Sequence, residues 1–175
     1  MDDKFNNKYR IPPARAQWWD YSNSGAYFIT ICTKGMQCYF GAIEEGIMNL
    51  SEIGTIVQTE WINTLELRPD MNLEMGEFVV MPNHFHAIII IGDNKYNTTN
   101  HDENPNTFGK QSSNLAAIVR GFKSAITRQA RMFNHDFEWQ PLYHDHIIRT
   151  ASSFETITKY IINNPENWKE DRFFT

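Results

Sequence analysis

The sequence has little that would take it out of an aqueous compartment. Its longest unbroken apolar stretch, Ala87-Ile88-Ile89-Ile90-Ile91, is strand-sized and far short of the roughly eighteen residues of a membrane-spanning helix. The first residues, Met1-Asp2-Asp3-Lys4-Phe5-Asn6, have no basic head and no apolar stretch, so no secretory signal is expected. Only two cysteines occur, Cys32 and Cys38, and neither has metal-type company. That argues against a disulfide scaffold and suits a reducing cytoplasm, with a Cys32–Cys38 bridge as the minor alternative. There is no internal repeat and nothing like a linker between two large domains. The expectation is therefore one domain over residues 1–175, long enough for a real core. An excess of positive charge is also missing. The net charge is −5, which taken globally argues against a polyanion as partner.

The distribution of charge says otherwise. Between Lys110 and Arg149 the chain is +3, while the remainder is −8. Because contacts between exposed charges are screened within roughly 10 Å, a basic face on an acidic body can still bind a polyanion. The chain is also rich in apolar and aromatic residues, 41% and 14%, as a globular fold requires.

Residues 1–20, with Pro12-Pro13, read as an irregular arm. Ala26 to Thr33 is aromatic and β-branched, hence a strand, and a second strand is expected around Cys38 to Ile43 before a Glu44-Glu45-Gly46 turn. Ser51 is placed to cap a helix carrying Ile53, Ile56, Val57 and Trp61, which should stop before Pro69. Leu73 to Val80 and His84 to Ile91 form two strands joined tightly through Met81-Pro82-Asn83. Residues 93–113, rich in Asn, Thr, Gly and Asp, read as a long mobile loop. A helix over Leu115 to Phe133 buries Leu115, Ile118, Phe122, Ala125, Ile126 and Phe133 on one arc. Its opposite side carries Arg120, Lys123, Arg128 and Arg131, either a plain solvated face or a nucleic-acid contact. A strand near Leu142 to Arg149 and a last helix, capped by Ser152 or Ser153 and ending near Asn164-Pro165, complete an α+β sandwich of helices on an antiparallel sheet.

Three groups of residues can carry chemistry. His84 and His86 flank Phe85 on a strand, so both imidazoles project to one face while Phe85 enters the other layer. Two polar rings at the head of an apolar strand need a reason, and paired metal ligation is one; a hydrogen-bonded pair at a strand start is another. His144 and His146 have the same spacing around Asp145, and spacing alone does not choose between the pairs. His101 and His135 lie in polar surroundings. Tyr160 and Asn164 are neighbours on the last helix, Tyr160 at the edge of the Phe154, Ile157 and Ile161 stripe. By themselves they read as a boundary tyrosine and a helix-ending asparagine.

In combination these pieces resemble a known family. Val79-Val80-Met81-Pro82-Asn83-His84-Phe85-His86-Ala87-Ile88 is similar to the signature of HUH (His-hydrophobe-His) single-strand DNA transposases, in the branch of REP-associated tyrosine transposases. Further matches are Asp20-Tyr21-Ser22, the Gly25 to Thr30 strand, Phe40-Gly41, Gly121-Phe122-Lys123-Ser124 and Trp139-Gln140-Pro141. Tyr143 to Arg149 and Tyr160 to Pro165, with Trp168 and Asp171, also match, so the resemblance spans roughly residues 18 to 173. It implies a ferredoxin-like antiparallel sheet with helices packed on one face. His84 and His86 would be ligands of a divalent metal, Mg or Mn, with Asn164 as the third ligand and Tyr160 as the nucleophile. His144 and His146 would lie near the site. Arg120, Lys123, Arg128 and Arg131 would contact DNA.

The activity so implied is cleavage and rejoining of single-stranded, hairpin-associated DNA through a covalent 5′-phosphotyrosine. Single-stranded or hairpin DNA would be the partner, with a homodimer left open. The alternatives are a hairpin-binding module that no longer cuts and a metal hydrolase that uses water. The segment Ala14 to Trp19 carries fewer basic residues than hairpin recognition by this family would suggest.

Overall fold

The computed structural model describes residues 20–97 and 113–175. The expected arm and most of the expected loop thus lie outside the described residues. Four strands form an antiparallel sheet: β1 (Gly25–Cys32), β4 (Leu73–Val80), β5 (His84–Ile91) and β6 (His144–Ile148), in the order β4-β5-β1-β6. Helix α1 (Glu52–Glu66) links β1 to β4, and α2 (Leu115–Ala130) links β5 to β6. This βαββαβ order with both long connections crossing the sheet is the ferredoxin-like arrangement. Helix α3 (Ala151–Asn163) follows.

A separate hairpin of β2 (Gly41–Glu44) and β3 (Ile47–Leu50) turns through Glu45 and Gly46, both with positive φ. The first of these strands starts three residues later than expected, and the second was not expected. Ile47 to Leu50 is too short to show alternation. Ser51 does cap α1, accepting a hydrogen bond from the Gly54 amide. The cap of α3 is Thr150, whose hydroxyl accepts from the Ser153 amide, rather than Ser152 or Ser153.

Strand alternation divides the sheet into two faces with different contents. Phe85, Ala87, Ile89 and Ile91 of β5 and Tyr27, Ile29 and Ile31 of β1 point to one side. There they meet Trp61 of α1 and Ile118, Phe122 and Ile126 of α2 in the main core. The other face carries Ile88 and Ile148, covered by Ile161 of α3 with Phe154 and Ile157 packed alongside. The α+β sheet and its helices are as expected, but all helices were placed on one face, and α3 covers the opposite one. The Phe154, Ile157 and Ile161 stripe needs an apolar partner, and the even-numbered side of β5 supplies it. Phe133 was assigned to the buried arc of α2, but the helix ends at Ala130 and leaves that ring 52% exposed. Among the described residues no helix is long and apolar enough to cross a membrane.

Candidate active site

His84 and His86 stand at the head of β5 on the α3 side of the sheet, both fully buried, with ring centroids 4.5 Å apart. Each ring is oriented through Nδ1. Asn83 Oδ1 lies 2.8 Å from His84 Nδ1, and Asn83 Nδ2 donates to the Phe173 and Met36 carbonyls. The amide oxygen must therefore accept, and His84 carries its hydrogen on Nδ1. His86 Nδ1 lies 2.8 Å from Thr30 Oγ1 of the neighbouring strand, in register with it. Both Nε2 atoms are thereby turned toward α3 and the C-terminal segment. His84 Nε2 is buried without a hydrogen-bond partner.

Burial disfavours the imidazolium in both rings. His84 is pushed down to about 3, chiefly by burial and then by the nearby positive charge of Arg172. His86 falls well below the usual histidine range, by burial, then by the charge of His84 and of Arg172, against an opposing pull from Asp171. Neutral rings are the protonation state that metal ligation requires, and His84 Nε2 is left bare for it.

Tyr160 reaches this pair from α3. Its hydroxyl lies 3.2 Å from His86 Nε2 and 3.3 Å from Asp171 Oδ2, while 42% of the residue remains exposed. Phe28 of β1 meets the Tyr160 ring edge-on and stacks on His86, so the phenol is fixed by packing as well as by hydrogen bonds. Burial, then the charge of Asp171, raises the Tyr160 pKa and keeps the phenol protonated.

Asn164, one turn later, caps α3 and is buried. Its Nδ2 donates to Asp171 Oδ2 at 3.0 Å, and its Oδ1 has no hydrogen-bond partner. Asp171 completes the cluster: ligating atoms of His84, His86 and Asp171 all lie within 4.8 Å of one another. Sequence reasoning gave Asp171 no role. It lies eight residues beyond the helix end at Asn163, past Pro165, where no periodicity relates it to Tyr160. Thr30 and Phe173 were missed for a like reason, since they reach the site through sheet register and a folded-back tail, whereas Asn83, next to His84, was read only as part of the connecting turn.

The donor set fits a divalent cation. It offers two neutral imidazoles, a carboxylate and an amide oxygen, and two of these ligating atoms are buried without another partner. An open cleft of about 350 Å³, lined by Thr156, Lys159, Asn163 and Asn167, leads to Tyr160, Asn164 and Asp171.

The remaining candidates lie apart. His144 and His146 are exposed on edge strand β6, opposite Thr30 and Phe28, on the same face as His86 but outside the cluster. The side chains of α2 belong to the layer across the sheet, so Arg120, Arg128 and Arg131 are not brought to Tyr160. Arg131 donates through Nε to the Phe137 carbonyl. Lys123 is occupied locally: its ammonium donates to the carbonyls of Gln140 at 2.8 Å and Leu142 at 3.0 Å, and burial lowers its pKa. Cys32 and Cys38 are both free thiols.

A tyrosine set over a histidine pair on a ferredoxin-like sheet defines a class of fold, and that class has a solved relative. A REP-associated tyrosine transposase, in a structure with a bound REP hairpin, superposes with a TM-score of 0.58 at 17% identity, covering 92% of this chain and 73% of that one. The match shows a shared fold and supports the resemblance read from the motifs. A 1.90 Å crystal structure from Deinococcus radiodurans superposes less well, at a TM-score of 0.45 and 14% identity over 85% of this chain and 95% of that one. In sequence, an uncharacterized protein of Haemophilus influenzae is 36% identical over 167 residues, covering 91% of each chain, and this chain belongs to the same family as that protein. No protein-family model matches the chain.

Proposed function

We propose that this protein is a transposase of the REP-associated tyrosine type, a metal-dependent enzyme that cleaves and rejoins single-stranded DNA through Tyr160. The observation that carries this reading is the position of the Tyr160 hydroxyl, 3.2 Å from one of two buried, neutral histidines and 3.3 Å from a carboxylate. A boundary tyrosine serving only the fold would have no need of two ionisable groups gathered at its oxygen. Single-stranded or hairpin DNA is the proposed partner. The neighbour of known structure was solved with a REP hairpin, and the shared fold makes such DNA the first substrate to try. The cytoplasm, where such DNA resides, is the proposed location.

His84, His86 and Asp171 would hold the divalent ion, Mg or Mn, with Asn164 Oδ1 as a further oxygen ligand. When bound, the ion supplies positive charge that offsets the repulsion between an attacking oxygen and an anionic phosphodiester. The protein's own residues do the rest. Asn83 fixes the His84 tautomer and Thr30 orients the His86 ring, as the outer partners of metal-binding histidines generally do. Phe28 and the His86 ring hold the phenol in place. Asp171 Oδ2 receives the hydroxyl hydrogen as the Tyr160 oxygen bonds to phosphorus and the phosphorus–O3′ bond breaks. The proton taken up by Asp171 is released and, through solvent, one proton reaches the departing O3′, leaving a 5′-phosphotyrosine and a free 3′-hydroxyl. Attack by a 3′-hydroxyl on that linkage reverses the step, so no nucleotide cofactor is required.

Incubation of the protein and Mn²⁺ with an end-labelled pool of single-stranded, hairpin-bearing oligonucleotides tests this. A covalent protein–DNA species in a denaturing gel is expected. Released fragments without an adduct would indicate hydrolysis by water, and a mobility shift alone would indicate a binding module.

A further inference from the structure

Next to the histidines, on the tail that supplies Asp171, lies a cation that forms no ion pair among the described residues. Arg172 is exposed, and its guanidinium carbon sits 4.4 Å from the centroid of the Phe173 ring. Phe173 in turn packs 4.6 Å from the His84 ring and 6.0 Å from the His86 ring. This platform is pinned from both sides. The Phe173 amide donates to Asp171 Oδ1 at 2.7 Å, and Asn83 Nδ2 donates to the Phe173 carbonyl at 2.8 Å. Asn83 is the residue that also orients His84. The stack therefore reads outward from metal ligand to ring to guanidinium, and the tail cannot shift without disturbing the histidine.

Among the described residues no carboxylate forms an ion pair with Arg172, although the two ion pairs found, Lys34–Glu138 and Lys95–Asp70, show that surface partners exist elsewhere. Its charge is felt at His84, His86, Tyr160 and Cys32 alike, lowering the pKa of each against the larger effect of burial where the two oppose. A stacked guanidinium has one face occupied by the ring while its in-plane N–H donors stay open. That fork matches two oxygens of a phosphate. Stacking also restricts the long side chain beforehand, so less freedom is lost when the anion arrives. A solvated arginine would not need such a support.

We propose that Arg172, held on Phe173 beside His84, His86 and Tyr160, is a phosphate-binding residue that seats the backbone phosphate of single-stranded DNA at the tyrosine. The identity of the anion as a DNA phosphodiester rests on the transposase reading. The binding position itself rests on the stack. Lys159, which lines the cleft with Tyr160, offers a second cation for a neighbouring phosphate.

The test compares wild type, Arg172→Gln and Arg172→Lys. Binding of a fluorescent oligothymidylate is titrated over a salt series, Mn²⁺ affinity is measured by calorimetry, and adduct formation is measured on the hairpin pool. Removing one phosphate contact should reduce the log–log salt slope by about 0.7 in Arg172→Gln. Arg172→Lys should restore the slope but still form adduct about tenfold more slowly than wild type, because an ammonium cannot reproduce the two-pronged geometry. Mn²⁺ affinity should be unchanged in both. A wild-type salt slope and adduct rate in Arg172→Gln would overturn the proposal and leave the transposase reading standing. So would a loss of Mn²⁺ affinity that matched the loss of DNA binding, since the tail would then have moved. If wild type forms no adduct and the slope still falls in Arg172→Gln, the transposase reading fails and the phosphate site stands.

Discussion

At the scale of single residues, His84 and His86 were readable because a strand has period two and Phe85 between them is apolar. The structure buries both rings and sends Phe85 to the opposite layer. Tyr160 and Asn164 were readable as a pair one helical turn apart, and both reach the cluster. What was not readable was the choice of carboxylate. Asp171 arrives through a tail that folds back over the histidines, and no local pattern announces such a return.

The burial of two neutral imidazoles has a consequence for acid stability. Both have folded-state pKa values below the ordinary histidine value, His84 about 3. As pH falls below about 6.5, the unfolded chain takes up protons that the metal-free folded protein refuses, so stability declines. Each ring contributes a slope of up to about 1.4 kcal/mol per pH unit. Chemical denaturation of metal-free protein between about pH 7 and about pH 5, a range that spans the ordinary histidine pKa of about 6.5, should show this fall, and His84→Leu should flatten it. An unchanged slope in that variant would mean the ring is protonated in the folded state.

The outer partners give a second prediction at this scale. Thr30→Val should weaken Mn²⁺ binding by roughly 10- to 100-fold through loss of ring orientation, with the fold retained. Calorimetry would measure it, and wild-type affinity would show that Thr30 only fills space. Asn164→Ala should weaken binding less than His84→Ala or His86→Ala, because a neutral amide oxygen is a poorer ligand than imidazole.

At the scale of elements, the long segments were legible and the short or irregular ones were not. β4, β5 and α1 fall where alternation, Pro69 and Ser51 place them. The β2–β3 hairpin and the early end of α2 escaped, because Ile47–Leu50 is short and Phe133 happened to continue the apolar arc beyond the helix. Helical spacing also put Lys123 with Arg120, Arg128 and Arg131 on one basic face. It could not show that the 139–142 segment comes back against that face. There the Lys123 ammonium bonds the Gln140 and Leu142 carbonyls, and the Trp139 indole donates to the Lys123 carbonyl. Lys123→Met should therefore destabilise the fold, by about 1.5–3 kcal/mol given two charged hydrogen bonds lost. Arg128→Ala should leave stability unchanged and, if α2 contacts DNA, reduce the salt slope of binding by about 0.7. Urea unfolding and a salt titration separate the two, and a Lys123→Met protein as stable as wild type would return Lys123 to the solvated face.

Helix α1 offers a sharper check on packing. An added Cβ at Gly54 would lie 2.1 Å from the Phe40 carbonyl oxygen, which is backbone and cannot rotate away. Glycine to alanine inside a helix ordinarily stabilises by up to about 1 kcal/mol. Gly54→Ala should instead destabilise, by about 1–3 kcal/mol or more, as overpacking does. A thermal midpoint at or above wild type would contradict the close approach of α1 to Phe40.

At the scale of the whole molecule, an acidic chain with a ferredoxin-like sheet separates its two faces by task. One face is closed by α1 and α2 around Trp61 and Phe85 and serves stability. The other is covered in part by α3 and the tail, and leaves Tyr160 and a cleft open beside the buried histidines. The fold class followed from the order of elements, whereas the allocation of helices to faces depended on which side of β5 each apolar stripe could match. Metal binding across β5, α3 and the tail should tie these parts together, so saturating Mn²⁺ should raise the thermal midpoint of wild type. Asp171→Asn should lose most of that rise, since the ion binds only the folded protein.

The central claim is that the Tyr160 hydroxyl is the nucleophile, and one measurement addresses it directly. Wild type and Tyr160→Phe are incubated with Mn²⁺ and the labelled single-stranded hairpin pool, and any covalent species is digested and mapped by mass spectrometry. The phenylalanine ring keeps the packing against Phe28 and loses only the oxygen. The account predicts a nucleotide on Tyr160 in wild type and no adduct or cleavage in Tyr160→Phe, with Mn²⁺ and DNA affinity retained. An adduct on Tyr143 or another residue, or continued cleavage by the phenylalanine variant, would contradict it.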